Sequence, residues 1–477
     1  MRRLALRAGV FSVAALLALP AIASADTTEA VTNKVLGDTV PINTLWVVVA
    51  AVLVLFMQAG FALLEIGFSR SKNAGTGIAK ILVNFSIAAI CYWAVGFAFA
   101  FGNGDIIGHT GWFLQGFGDP QKAFGVMGLS DATIESKWLF QFAFAAVCLG
   151  IVWGSTLERI KFKAHIIFAV VFAAFIYPLV SHWVFGGGWL QANVGMQDFA
   201  GSTAVHLSGA TAALAALLVL GPRAERTGPD GQTKTLHGHN MFVLGLGMFI
   251  LLFGWFGFNA GSTLGVTDGR FAEVAMVTML GAAGGIIGAY VMTVVLQKTV
   301  DIGMVCNGLI AGLVAITAPA GYVEAWAAPI IGIVGGLIVV PSILAIDKKL
   351  DDPVGVLSAH GVAGIWGTLS CGLFTAPRFA EYAGIGDPEG GLFYSGALTQ
   401  LLDQAIGVVV AFAAVLVLSY LTFLAISKTV GLRVTPEQEL AGLDISEHGA
   451  YGVPDLVRHE AEFGELAPGT SNEPAVV

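Results

Sequence analysis

The stretch DFAGSTAVHLSGA, Asp198 to Ala210, runs without a break into TAALAALLVLG and sets an acid and a histidine inside an apolar segment. A second stretch, DPVGVLSAHGVAG from Asp352 to Gly364, repeats the arrangement, with the histidine following the aspartate at the eighth position in both. An ionisable side chain inside a membrane-spanning segment is costly and by default functional, so the reading starts from His206 and His360. The rest of the chain supplies the membrane. It has 56% hydrophobic residues, 12% charged residues and ten tryptophans in 477 residues, with a mean hydropathy of +0.80. That composition belongs to a polytopic membrane protein and excludes a soluble globule. No nucleic-acid partner, cofactor or metal is expected, and no motif of an enzyme stands out.

The 62 glycines fit helices packed closely on one another in lipid. Cys91, Cys148, Cys306 and Cys371 lie in apolar runs at no metal-like spacing and read as small core residues. MRRLALR, then AGVFSVAALLALP and Ala23-Ser24-Ala25, has the basic head, apolar core and small-residue site of a cleaved signal peptide over residues 1–25; a retained first span is the alternative. Residues 428–477 hold nine acids against three bases and form a polar tail behind a membrane domain of residues 26–427.

Apolar segments of spanning length fall near 43–68, 78–101, 138–157, 164–185, 200–220, 240–260, 272–296, 302–319, 325–346, 354–375 and 400–427. Eleven spans place the chain ends on opposite sides. Loops after the odd spans carry Arg70/Lys72, Arg159/Lys161/Lys163, Arg223/Arg226/Lys234, Lys298 and Lys348/Lys349, against Lys122, Lys137, Arg270 and Arg378 after the even ones. Positive charge marks the cytoplasmic side, so the N-terminus is expected outside and the tail in the cytoplasm.

Span 5 then enters from outside at Asp198, and span 10 from the cytoplasm at Asp351, Asp352 and Pro353. A helix running from each aspartate carries its histidine about 12 Å into a hydrocarbon layer about 30 Å thick. Both imidazoles arrive near the midplane. The expected fold is therefore all-α, two inverted five-helix repeats plus a final helix, with a site between the repeats. Each histidine is either a buried polar group bonded to a neighbouring helix or half of a shared site whose ring nitrogens donate and accept. Asp198 and Asp352 also sit where helix caps belong, with Pro353 suited to the first helical position. GWFGFNAGS (254–262) and GFAFAFG (96–102) end spans on the outer side. Their aromatics, Phe97 among them, form either an interfacial belt or a vestibule that holds a small cation by cation–π contact.

From about residue 42 to 453 the chain resembles the ammonium transporter family (Amt/Mep, more distantly Rh). The stretches that carry the resemblance are GFALLEIGFSRSKN (60–73), FAFG (99–102), SHWVFGGGW (181–189), DFAGSTAVH, GWFGFNAGS, DDPVGVLSAHGVAG (351–364) and LRVTPEQELAGLDISEHGAYG (432–452). The resemblance implies a homotrimer with one pore per subunit in a bacterial inner membrane, passing ammonium or its analogue methylammonium. It matches the paired pore histidines to His206 and His360, a stacked phenylalanine gate to Phe101 and Phe258, and outer recruitment to Ser262, with Asp198 as the motif's acid and Phe185 and Phe97 at the outer mouth. It also implies a tail, with Gly442, Asp444, His448 and Gly449, that docks on the inner face and helps a PII-type nitrogen regulatory protein to bind.

Where the family usually has tryptophan in HWxWGGG this chain has Phe185, with Trp183 two residues earlier. Phenylalanine is the weaker cation–π partner. The expected mechanism is capture of NH4+ outside, loss of a proton at the gate and passage of NH3 along the histidines, because a bare cation in a dry pore meets a penalty of several kcal/mol or more. Two readings from other classes stand beside it. A membrane cytochrome would ligate haem through two such histidines, and an ammonium sensor would bind the ion with little net transport.

Overall fold

The computed structural model describes residues 39–454 apart from 117, 129–130 and 228–232. The proposed signal peptide and residues 460–477 lie outside the described residues. The described chain is helical, with two isolated β-bridges and no strand. Each of the eleven apolar segments is a helix or a run of helical pieces. We number them α1 (Val40–Phe68), α2 (Ala74–Cys91 continuing to Phe101), α3 (Ile134–Ser155), α4 (Phe162–Val171 continuing to Phe185), α5 (Ser202–Leu220), α6 (Met241–Ala260), α7 (Arg270–Gln297), α8 (Ile302–Thr317), α9 (Ala327–Ile346), α10 (Leu357–Val362 and Ala363–Phe374) and α11 (Thr399–Thr429). Nine of these, all but α8 and α10, are long and apolar enough on their own to cross a membrane. The tail adds two short helices, α12 (Pro436–Ala441) and α13 (Leu443–His448).

Glycine sets how closely the helices approach. A methyl at Gly60 would stand 2.8 Å from the Leu251 side chain, and one at Gly247 2.8 Å from the Gly60 carbonyl, so α1 and α6 touch through a seam of small residues. The α7–α9 seam is tighter still. A Cβ at Gly332 would lie 2.0 Å from the Gly281 carbonyl, and one at Gly336 2.1 Å from that of Gly285. Lipid gives apolar helices no hydrophobic reason to associate, so such backbone-to-backbone contact carries much of the cohesion.

The beginnings of α5 and α10 depart from expectation in the same way. A helix was expected to run on directly from each aspartate, with Pro353 in its first turn. The structure instead has Pro353 in a turn, and the regular helix starts at Ser202 and at Val356. Gly201 at φ +120° and Gly355 at φ +77° make the two turns, a conformation open chiefly to glycine. The first turns, Ser202–Leu207 and Leu357–Val362, are π-helical and contain the histidines. Each histidine therefore sits about 6 Å into its helix.

Gly332→Val should wedge α7 from α9 and destabilise the protein by about 1–3 kcal/mol, read as a lower thermal midpoint of the detergent-solubilised protein. Gly245→Ala on α6, where nothing lies within 4 Å of the added methyl, should leave it unchanged.

Candidate functional site

His206 and His360 meet. Their Nδ1 atoms are 3.2 Å apart and both residues are buried, so one ring donates to the other and only one of the two Nδ1 atoms carries a hydrogen. The π-helical turns are what aim the rings at each other, since a π-turn adds a residue to the turn and displaces the side chains after it. Trp255 lies flat against His206, with centroids 5.0 Å apart and planes 13° apart, and its indole N–H donates to Thr317 Oγ1 at 2.8 Å.

Asp198 and Asp352 hold the starts of these helices. Both oxygens of Asp198 accept from the backbone: Gly201 and Ser202 on Oδ1, Thr203 and Ala204 on Oδ2, at 2.8–2.9 Å. Asp352 accepts from Leu357 N–H and from Ser155 Oγ, each at 2.8 Å. Asp198 thus has the geometry of a helix cap, and its carboxylate also borders a cavity on the Ser262 side of the histidines.

That outer cavity, about 150 Å³, is lined by Phe140, Gln141, Phe144, Phe185, Gln191, Ser262 and Tyr322 among others. Ser262 Oγ donates to the Phe258 carbonyl at 2.8 Å, which leaves its lone pairs for a donor in the cavity. Trp183 is not there. Its indole N–H is bonded to the Ile106 carbonyl at 2.7 Å, so Phe185 is the aromatic of its segment that lines this cavity.

The gate differs from expectation. Phe258 stacks on Phe144, not on Phe101, with centroids 3.9 Å apart and planes 13° apart. Phe101 packs on Phe97, and Phe97 on Tyr92 and Phe124, all of them fully buried. Phe97 and Phe101 therefore belong to the packed interior of α2 and line neither the outer cavity nor the stack. Phe144 borders the cavity, while Phe258 lies 5.4 Å from His206. The stacked pair thus separates cavity from histidines. Beyond His360 comes a small cavity of about 20 Å³ bordered by Phe61, Glu65, Asn307 and His360, then a wider one of about 190 Å³ bordered by Asn307, His237, Arg223 and Asp352.

The second face of the protein is tied together by charge. Glu158 accepts from Arg70 Nη2 at 2.6 Å and from Arg223 at 3.3 Å, and Arg223 grips both oxygens of Asp351 at 2.9 Å. Burial pushes the Asp351 carboxyl up, but hydrogen bonds from Arg223 and the charges of Arg159 and Arg223 outweigh it and hold it at about 2. The tail is docked on the same face. Asp444 accepts from Gly75 N–H and Thr76 N–H at 2.8 Å and so caps α2, and Glu439 accepts from Ala224 N–H at 2.6 Å. Gly442 at φ +99° and Gly449 at φ +76° bound α13, and the exposed His448 meets Phe162 edge-on at 5.1 Å.

Residues 45–453 match the Ammonium Transporter Family. The chain belongs to that family. It is 40% identical over 464 residues to ammonium transporter Amt2 of Archaeoglobus fulgidus, covering 95% of this chain and 96% of the relative. It is 34% identical over 426 residues to an ammonium transporter of Bacillus subtilis, covering 88% and 99%. Among solved structures, one titled Sensor Amt Protein superposes with a TM-score of 0.78 at 35% identity over 86% of this chain and 99% of that one. Mep2 of Candida albicans does so with 0.76 at 27% identity, over 94% and 95%.

The Asp351 carboxyl, at about 2 in the fold and near 3.9 unfolded, contributes stability that is complete above about pH 4 and is lost as pH falls through 2. Arg223→Met removes its main partner and should cost about 3–5 kcal/mol at neutral pH. Thermal melts of wild type and variant from pH 7 downward check both statements.

Proposed function

We propose that this chain takes up ammonium nitrogen through a pore in each subunit of a homotrimer, with eleven spans, the N-terminus outside and the tail in the cytoplasm. The observation that carries the reading is the His206–His360 pair, buried behind stacked phenylalanines with a cavity on either side. NH4+ enters the outer cavity, donates to Ser262 Oγ and rests against Phe185. It gives up a proton where Phe144 and Phe258 close the way, since a desolvated cation meets several kcal/mol there and ammonia does not. NH3 then passes on the imidazoles, each of which offers a nitrogen or an N–H to a molecule that both donates and accepts. Potassium has no proton to leave behind, and so is excluded by chemistry that it cannot perform. The docked tail, through Gly442, Asp444, His448 and Gly449, supports control by a PII-type regulatory protein at the cytoplasmic mouth.

Growth rescue of a transport-deficient bacterium on low ammonium tests the reading. Wild type should restore growth; a protein that binds ammonium yet fails to rescue is a sensor. His206→Ala and His360→Ala should each lower ammonium flux or admit potassium, measured in proteoliposomes, and wild-type flux and selectivity in both would sink the shared site.

Phe185→Trp should strengthen the hold on the cation by a fraction of a kcal/mol to about 2 kcal/mol. The half-saturating methylammonium concentration should fall up to about thirtyfold. An unchanged value would make residue 185 a packing residue.

A further inference from the structure

Glu65, on α1, is 1% exposed, and neither carboxylate oxygen has a hydrogen-bond partner. Lys80, on α2, is equally buried, and its Nζ also lacks one. The two side chains are neighbours. A methyl on Gly77, one turn before Lys80, would stand 4.0 Å from Glu65 Cβ, and residues three apart share a helix face. The two groups are close enough to influence each other's charge, and the His165 ring lies against Lys80 from α4. Glu158 and Arg159 face Lys80 from the end of α3. Asn84, four residues after Lys80 on α2, accepts from the Trp153 indole at 2.7 Å and leaves its own amide nitrogen unpartnered.

Glu65 also borders the 20 Å³ cavity next to His360. About 10–15 Å³ suffices for one water, and ammonia is of similar size. The cavity therefore has room for a single small molecule, bordered by His360, Asn307 and a carboxylate that accepts no hydrogen bond. Buried charges cost several kcal/mol each unless paired and hydrogen-bonded, and an acid with both oxygens idle is the kind of group for which a ligand or water is the missing partner.

We propose that Glu65, backed by Lys80, is the proton-exchanging station on the inner side of the histidine pair, where ammonia leaving His360 becomes ammonium. This rests on the transport reading above. The Glu65–Lys80 pair holds one exchangeable proton, as carboxylic acid and amine or as carboxylate and ammonium, and either form has no net charge. Ammonia in the small cavity takes that proton through the Glu65 carboxyl: the O–H bond breaks and the fourth N–H bond of NH4+ forms. The pair is left with one negative charge beside the new cation, so the site as a whole stays neutral. NH4+ moves past Asn307 into the wide cavity, and the pair regains a proton from hydronium in the water there. Lys80 is a positioning residue in this scheme, because only the Glu65 carboxyl touches the reacting molecule.

The test uses the full-length protein in proteoliposomes with ammonium chloride as the probe. Glu65→Gln, nearly the same shape, should lower ammonium flux about tenfold or more, within the range of a lost acid–base group, and Glu65→Asp should recover part of it. The double variant Glu65→Gln, Lys80→Met removes both charges and restores neutrality. If Glu65 serves only to balance Lys80, the double variant transports like wild type and the proposal falls; if it exchanges protons, the double variant stays slow. Infrared difference spectra separate this from the transport reading. Ammonium should change a carboxyl band in wild type that Glu65→Gln lacks, whether or not net flux is detected. An identical difference spectrum in the variant overturns the proposal even where wild type transports normally.

Discussion

One hydrogen bond between two uncharged-partner imidazoles constrains the rest of this fold. His206 and His360 hydrogen-bond to each other, and Trp255 and Phe258 pack on the His206 ring. To bring them within 3.2 Å, two helices from different parts of the chain must start at set depths and turn their first residues inward. Four amides on Asp198 fix one start, and an amide and a hydroxyl on Asp352 fix the other. Gly201 and Gly355 permit the turns, and the π-helical first turns rotate the rings into line. None of these parts works alone. An uncapped helix start in a low-dielectric interior would leave several amides without partners, each costing on the order of 1–3 kcal/mol.

Much of this was legible before the structure. Periodicity and length located all eleven helical segments, and the matched Asp-to-His spacing identified the pair, because an acid and a histidine in an apolar run are conspicuous. Phe258 and Ser262 came from the family motif; the first lies in the aromatic stack and the second borders the cavity beside it. The partner of Phe258 was not legible. Phe144 sits in FQFAFAAV, where aromatics are as natural as anywhere in a membrane helix, and nothing local says that α3 faces α6. FAFG offered Phe101 instead, a plausible aromatic in the wrong wall. The D-x-x-G turn was visible in both quoted stretches, Asp198 to Gly201 and Asp352 to Gly355, but spacing alone does not distinguish a helix that begins at the acid from one that begins after a turn. Glu65 and Lys80 stood in the sequence as charges within apolar runs, and only packing revealed that they are neighbours and that Glu65 borders a cavity.

The face bearing Arg70, Glu158, Arg223 and Asp351 links the tail to the pore by short covalent steps. Glu439 of α12 holds the amide of Ala224, whose neighbour Arg223 clamps Asp351, and the next residue, Asp352, caps the helix of His360. A tail that lets go of Ala224 therefore loosens the element that keeps Asp351 in place. The salt bridges here are buried, where losing one partner strands the other charge.

Charge placement along the path follows one rule, that nothing on the way through the centre carries an unbalanced charge. The outer cavity offers aromatics, amides and hydroxyls, with its one carboxylate spent on backbone amides; the middle has two imidazoles sharing a proton; the inner cavity has an acid backed by a lysine. Under the proposed passage as ammonia, a permanent negative charge at the centre would attract any monovalent cation, potassium included, and would erase the discrimination that proton removal would provide. An unbalanced positive charge would repel the ammonium that must form again on leaving. In the proposed scheme, setting Glu65 near Lys80 meets both demands. It keeps a proton close to the ammonia path without placing a net charge there, which an unpaired acid or an unpaired lysine at the same depth could not do.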